Sequence, residues 1–139
     1  VNVENATGNV NTNYKGKGEA AINEFRLGQD LVYIHVEAPD ECGHRAELDN
    51  KILSIEKIDA EILRPVYDYL ISTGEDFRIM VLPDHPTPIC KRTHTMDPVP
   101  FIIYRHTVKE PGIPVFDEEN ATGTGIYLPK GELLMELFI

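Results

Sequence analysis

Asp40, His44, Asp84, His85 and His94 are the residues of this chain whose types and spacing describe chemistry. They fall in three groups: an Asp-x-x-x-His pair in DECGH (40–44), an adjacent Asp-His in PDHPTP (83–88), and a further histidine in THTMDPVP (93–100). Neutral imidazole and carboxylate together suit a borderline divalent ion such as Mn2+ or Zn2+. Two such ions roughly 3.5 to 4 Å apart can clamp a phosphoryl group during in-line displacement. The pattern therefore describes most of a two-metal phosphoryl-transfer site, without its nucleophile. An isolated Asp-x-x-x-His is common on solvated helices, and so is a lone Asp-His after a strand. Their combination, followed within ten residues by His94, favours coordination over coincidence.

The elements that must position these groups follow from periodicity. Residues 17–27 (KGEAAINEFRL) contain helix formers, an apolar set at Ala21, Ile22 and Phe25, and Gly28 placed to end the helix. Residues 30–37 (DLVYIHVE) are a β-rich run of strand length, ended by Ala38-Pro39-Asp40. From Glu47 to about Ser72, Leu48, Ile52, Ile55, Ile58, Ile62, Val66 and Leu70 recur at threes and fours, one face of a long helix that Pro65 should kink and Gly74 should stop. Residues 77–82 and 99–104 are apolar strands, and a short helix is expected at about 130–138. Strand, helix, strand in this order predicts a right-handed crossover and a mostly parallel sheet. Asp40 and the Asp84-His85 pair would then emerge at the carboxyl edge of one sheet, where open α/β folds place their sites. If residues 40–44 turn helically, Asp40 and His44 share a face and can meet one ion.

The stretches DLVYIHVEAPDECGHRAELDNKILSIEKID (30–59) and VLPDHPTPICKRTHTMDPVPFIIY (81–104), with a weaker continuation upstream into ATGNVNTNYKGKG (6–18), resemble the cofactor-independent phosphoglycerate mutases of the archaeal type, within the alkaline phosphatase superfamily. The resemblance implies a partial alkaline-phosphatase-like α/β fold. It further implies one metal held by Asp40, His44 and His94, and a second held by Asp84 and His85 together with an aspartate and a nucleophilic serine from near the amino terminus of the intact enzyme. The two serines of this chain, Ser54 and Ser72, lie in and at the end of the predicted long helix and lack the strand-end setting of an exposed nucleophile. Residues 1–139 therefore read as the carboxy-terminal part of the metal-binding phosphatase-like domain, with amino-terminal strands, nucleophile and inserted domain elsewhere. The implied activity is interconversion of 3- and 2-phosphoglycerate through a phosphoserine, with two divalent ions in the intact enzyme and at most one in this part alone. A phosphoglycerate-mutase-like homoserine kinase, another phosphotransferase of the superfamily, and a non-catalytic binding domain are the alternatives.

Other polar residues have plainer readings. Lys91 and Arg92, between the ligand blocks, could bind substrate phosphate or carboxylate, or be exposed without function. His35 should face the core or back the site, and His106 should lie at the surface. Cys42 reads as a small packing residue despite its place between two ligands. Glu37 and Glu41 either orient imidazoles or are solvated. Residues 4–13 and 118–125 have loop composition.

Composition sets outer limits. The chain has 139 residues, 42% hydrophobic and 26% charged, enough for one globular core. A net charge of −10 argues against nucleic acid, whose phosphates require a basic surface, but not against a phosphorylated small molecule approaching bound cations. Cys42 and Cys90 form no CxxC pattern and fit a reducing cytoplasm. No apolar run is long enough to span a membrane. A sheet lacking its amino-terminal strands would leave an open edge that invites self-association.

Overall fold

The computed structural model describes all residues from Val1 to Ile139. They form two compact units, residues 1–75 with 87–94 and residues 76–86 with 95–139.

The first unit is built on helices. Helix α1 (Tyr14–Arg26) starts earlier than its apolar pattern because Asn13 caps it, accepting the Gly16 amide at 2.9 Å. Leu27 closes the helix, and Gly28 follows at φ +89°. Helix α2 (Ala38–His44) opens with Pro39 in its first turn, where a missing amide donor is harmless. Helix α3 (Leu48–Lys57) continues through a π-helical stretch, Ile58–Leu63, into helix α4 (Arg64–Thr73). The widened stretch lies immediately before Pro65, whose ring and absent N–H are incompatible with a regular α-helical ladder at that point. The helix thus accommodates the proline by widening, and Gly74 ends it in the left-handed region, φ +71°.

Tyr14, Ala38 and Ile62 form the buried centre of this unit, with Ile34, Val36 and Ile58 against them. Helix α1 reaches the π stretch through Gly18, where a Cβ would lie 2.8 Å from the Glu61 carbonyl oxygen. The expected apolar stripe splits in two. Ile62 and Val66 are buried, but Leu48, Ile52 and Ile55 are about half exposed, at 54%, 48% and 52%. The inward side of α3 is instead marked by fully buried Ser54 and by Lys51, whose ammonium donates to the Thr87 carbonyl at 2.7 Å.

Residues 30–37 do not form the expected strand; burial alternates along them, with Val32, Ile34 and Val36 half-buried and Leu31, Tyr33 and His35 exposed. They belong to no ladder: no backbone partner bonds Leu31 to Val36, and Lys17 Nζ donates to the His35 carbonyl at 2.9 Å. A β-rich composition favours an extended run, whereas pairing needs a neighbouring strand.

In the second unit, strand β1 (Arg78–Val81) pairs with strand β2 (Ile102–Arg105), Arg78 opposite Arg105 and Val81 opposite Ile102. Strand β1 lies within the predicted 77–82, β2 overlaps the predicted 99–104 but starts only at Ile102, and the mixed helix and strand content agrees with the α/β class. Their pairing, however, is antiparallel, and the parallel crossover sheet is not what this chain forms. The link between them, residues 82–101, contains no helix of the kind that usually spans a parallel crossover. Helix α5 (Glu118–Gly123) replaces the expected loop because Asp117 caps it, its carboxylate accepting the Asn120 amide at 2.7 Å. That bond holds the Asp117 carboxyl below its ordinary range. The carbonyl end of helix α6 (Leu133–Phe138) receives two guanidinium groups, Arg105 on Leu137 at 2.9 Å and Arg78 on Phe138 at 2.7 Å. No helix is long and apolar enough to cross a membrane.

Candidate metal centre

Because α2 is helical, Asp40 and His44 stand one turn apart on one face, with His44 Nε2 3.4 Å from Asp40 Oδ2. The loop after Pro88 brings in His94, whose Nε2 lies 3.2 Å from Asp40 Oδ1 and 3.1 Å from His44 Nε2. Three donor atoms from two distant parts of the sequence thus converge. Bonds of about 2.05 Å to one tetrahedral ion would hold its ligand atoms about 3.3 Å apart, so the donor set fits a divalent cation. Two imidazole lone pairs and a carboxylate this close repel one another unless a proton or cation lies between them.

Which nitrogen of His44 is available follows from its other contact. Nδ1 lies 3.0 Å from the Arg92 carbonyl oxygen. A carbonyl can only accept, so Nδ1 carries a hydrogen, and in the neutral ring this leaves Nε2, on the side of Asp40 and His94, as the nitrogen available to a metal. The carbonyl is positioned by a tight turn in which Pro88 O accepts the Lys91 and Arg92 amides, both at 2.9 Å, and Arg92 sits at φ +55°.

The bend between α2 and α3 is held by Arg45, which donates to Glu41 at 2.9 Å and to Glu47 at 2.8 Å. Hydrogen bonds from Arg45 and then Asn50 hold the Glu47 carboxyl below its ordinary range. Cys42 is fully buried, and desolvation, then the Glu47 charge, pushes its thiol up, which disfavours the thiolate a metal would need. Both cysteines are free.

Asp84 and His85 follow β1 in the second unit. The His85 amide donates to Asp84 Oδ1 at 3.1 Å, and His85 Nε2 lies 3.4 Å from Asp84 Oδ2. Lys91 and Arg92 are both exposed. His35 points away from the core rather than into it, contacting the Tyr33 hydroxyl at 3.4 Å and Glu37 at 3.9 Å, because Val32, Ile34 and Val36 occupy the inward positions of the same extended run. Glu41 is engaged by Arg45. His106 is half-buried and stacks on Phe77 with ring centroids 4.8 Å apart. Ser54 Oγ donates to the Lys51 carbonyl at 2.7 Å and Ser72 Oγ to that of Tyr69 at 2.6 Å.

Sequence reasoning missed Thr87, whose hydroxyl donates to Asp40 Oδ1, and the Arg92 carbonyl. The only local hint of the first was a threonine set between two prolines in PDHPTP. The second has no sequence signal, since every residue carries a carbonyl.

Known proteins share this arrangement of sequence. A protein named 2,3-bisphosphoglycerate-independent phosphoglycerate mutase from Methanosarcina acetivorans is 44% identical over the whole chain, which covers 35% of that protein. One named 2,3-bisphosphoglycerate-independent phosphoglycerate mutase 2 from Methanothermobacter thermautotrophicus is 39% identical, again over the whole chain and 34% of its own length. The chain therefore spans about a third of these curated relatives. Among solved structures, the PH0037 protein from Pyrococcus horikoshii matches with a TM-score of 0.72 at 30% identity, over 87% of this chain and 36% of that one. The profile of the Metalloenzyme superfamily matches residues 1–136, and the chain belongs to that superfamily.

Proposed function

We propose that this chain is the metal-holding portion of a 2,3-bisphosphoglycerate-independent phosphoglycerate mutase, acting on phosphoglycerate in a reducing cytoplasm. The observation that carries the reading is the convergence of Asp40, His44 and His94 at 3.1–3.4 Å, with His44 Nδ1 engaged by the Arg92 carbonyl. The names of the relatives support the substrate. Asp40, His44 and His94 hold one divalent ion, Mn2+ or Zn2+. Asp84 and His85 supply part of a second site, which is completed by an aspartate and a nucleophilic serine that are not among these 139 residues. Bound divalent ions would neutralise phosphate oxygens and lower the pKa of a coordinated hydroxyl. The chain's own part is to hold the donors: α2 fixes Asp40 against His44, and the Arg92 carbonyl keeps the proton of His44 on Nδ1.

Calorimetric titration of the chain with Mn2+ tests this. One site is expected, weakened at least tenfold by Asp40→Asn or His94→Ala and unaffected by His35→Gln. Two tight sites would contradict the partial character of the Asp84-His85 pair, and absence of binding would sink the reading. With 3-phosphoglycerate and Mn2+, the chain alone should give no turnover, since no phosphoserine can form on Ser54 or Ser72.

A further inference from the structure

We infer that Thr87 is a positioning residue that fixes the Asp40 carboxylate, an inference that rests on Asp40, His44 and His94 being metal ligands. Thr87 is 4% exposed, and its hydroxyl donates to Asp40 Oδ1. A donor on one carboxylate oxygen resists rotation about the terminal bond of the side chain. Asp40 thereby keeps Oδ1 toward His94 Nε2 and Oδ2 toward His44 Nε2.

Thr87 can do this because it is itself fixed from several sides. Its carbonyl accepts Lys51 Nζ from α3 at 2.7 Å. On α2, Gly43 admits it at close range: a Cβ at position 43 would stand 2.6 Å from the Thr87 carbonyl oxygen and 2.9 Å from its Cγ2. Pro86 precedes it with a locked φ, and Pro88 restricts its own backbone to extended conformations. A buried threonine held by a lysine, a glycine and two prolines, with its hydroxyl on the one carboxylate of the triad, is the kind of outer support that ligating carboxylates receive.

The test compares Mn2+ affinities of the parent chain, Thr87→Val and Thr87→Ser by calorimetry; Mn2+ is chosen because the exposed Cys90 thiol competes poorly for it. Valine keeps the shape without the donor and should weaken binding about 10- to 100-fold. Serine keeps the donor and should stay within about threefold of the parent, a rescue that loss of packing alone would not give. If valine binds as the parent does, or serine is as weak as valine, the inference is overturned. If the parent binds no Mn2+, the metal reading itself fails and takes this one with it. Circular dichroism checks that each variant folds. Should Thr87→Val not fold, Thr87→Ala removes the same hydroxyl with less bulk, and an unchanged affinity in that variant overturns the inference equally.

Discussion

His44 Nδ1 lies 3.0 Å from the carbonyl oxygen of Arg92, 48 residues along the chain. The contact engages the backbone of Arg92 while its side chain stays exposed, so residue 92 should respond to changes of conformation and ignore changes of charge. Arg92→Ala is expected to leave Mn2+ affinity within about threefold. Arg92→Pro locks φ near −65°, far from the +55° found here, and should swing the carbonyl off His44 and weaken binding tenfold or more. Calorimetry on the two variants checks this; equal affinities would refute the role given to the carbonyl.

Gly18 and Gly43 are sites where a single methyl group should do harm. Gly18→Ala would gain about 1 kcal/mol of helix propensity in α1. Against this, its Cβ would stand 2.8 Å from a backbone oxygen in the π stretch, and forcing such groups apart costs about 1–3 kcal/mol. The net change in urea denaturation should therefore be neutral to destabilising, never the full propensity gain. Gly43→Ala should additionally weaken Mn2+ binding, because it displaces Thr87 from Asp40.

The lowered Glu47 carboxyl makes a pH prediction with a definite sign. A carboxyl with a folded value below its unfolded value contributes stability that is fully present above the ordinary glutamate range and is lost as pH falls through the lowered value. Glu47→Gln should flatten the acid limb of a stability-against-pH curve and leave its neutral part less affected. An acid limb identical to the parent's would show that the Arg45 and Asn50 bonds do not couple to folding.

The extended run from Leu31 to Val36 has no backbone partners, so its amides should exchange with solvent far faster than those within α1. With Leu31 57% and Tyr33 79% exposed beside that open edge, the chain should also self-associate as its concentration rises. Sedimentation of the parent against Tyr33→Lys tests the second point. Slow exchange at residues 31–36 in dilute monomer would contradict the first.

Much of this protein was legible in its residues because the signals are local. Donor types and the four-residue step from Asp40 to His44 depend only on composition and helical geometry, and Gly74 and Pro65 act through their own backbones. Strand positions in the second unit were readable for the same reason. What lies opposite a face is not local. The β-rich run at 30–37 could not say whether a strand would pair with it, nor could the stripe of Leu48, Ile52 and Ile55 say whether anything would cover it. The antiparallel match of β1 with β2 likewise depends on how a link without a helix returns the chain. At the candidate centre, sequence supplied the ligand types, and the tertiary structure alone decided their support. A carbonyl at Arg92 and a hydroxyl at Thr87 are common groups that acquire a role only where folding sets them, one against His44 and the other against Asp40.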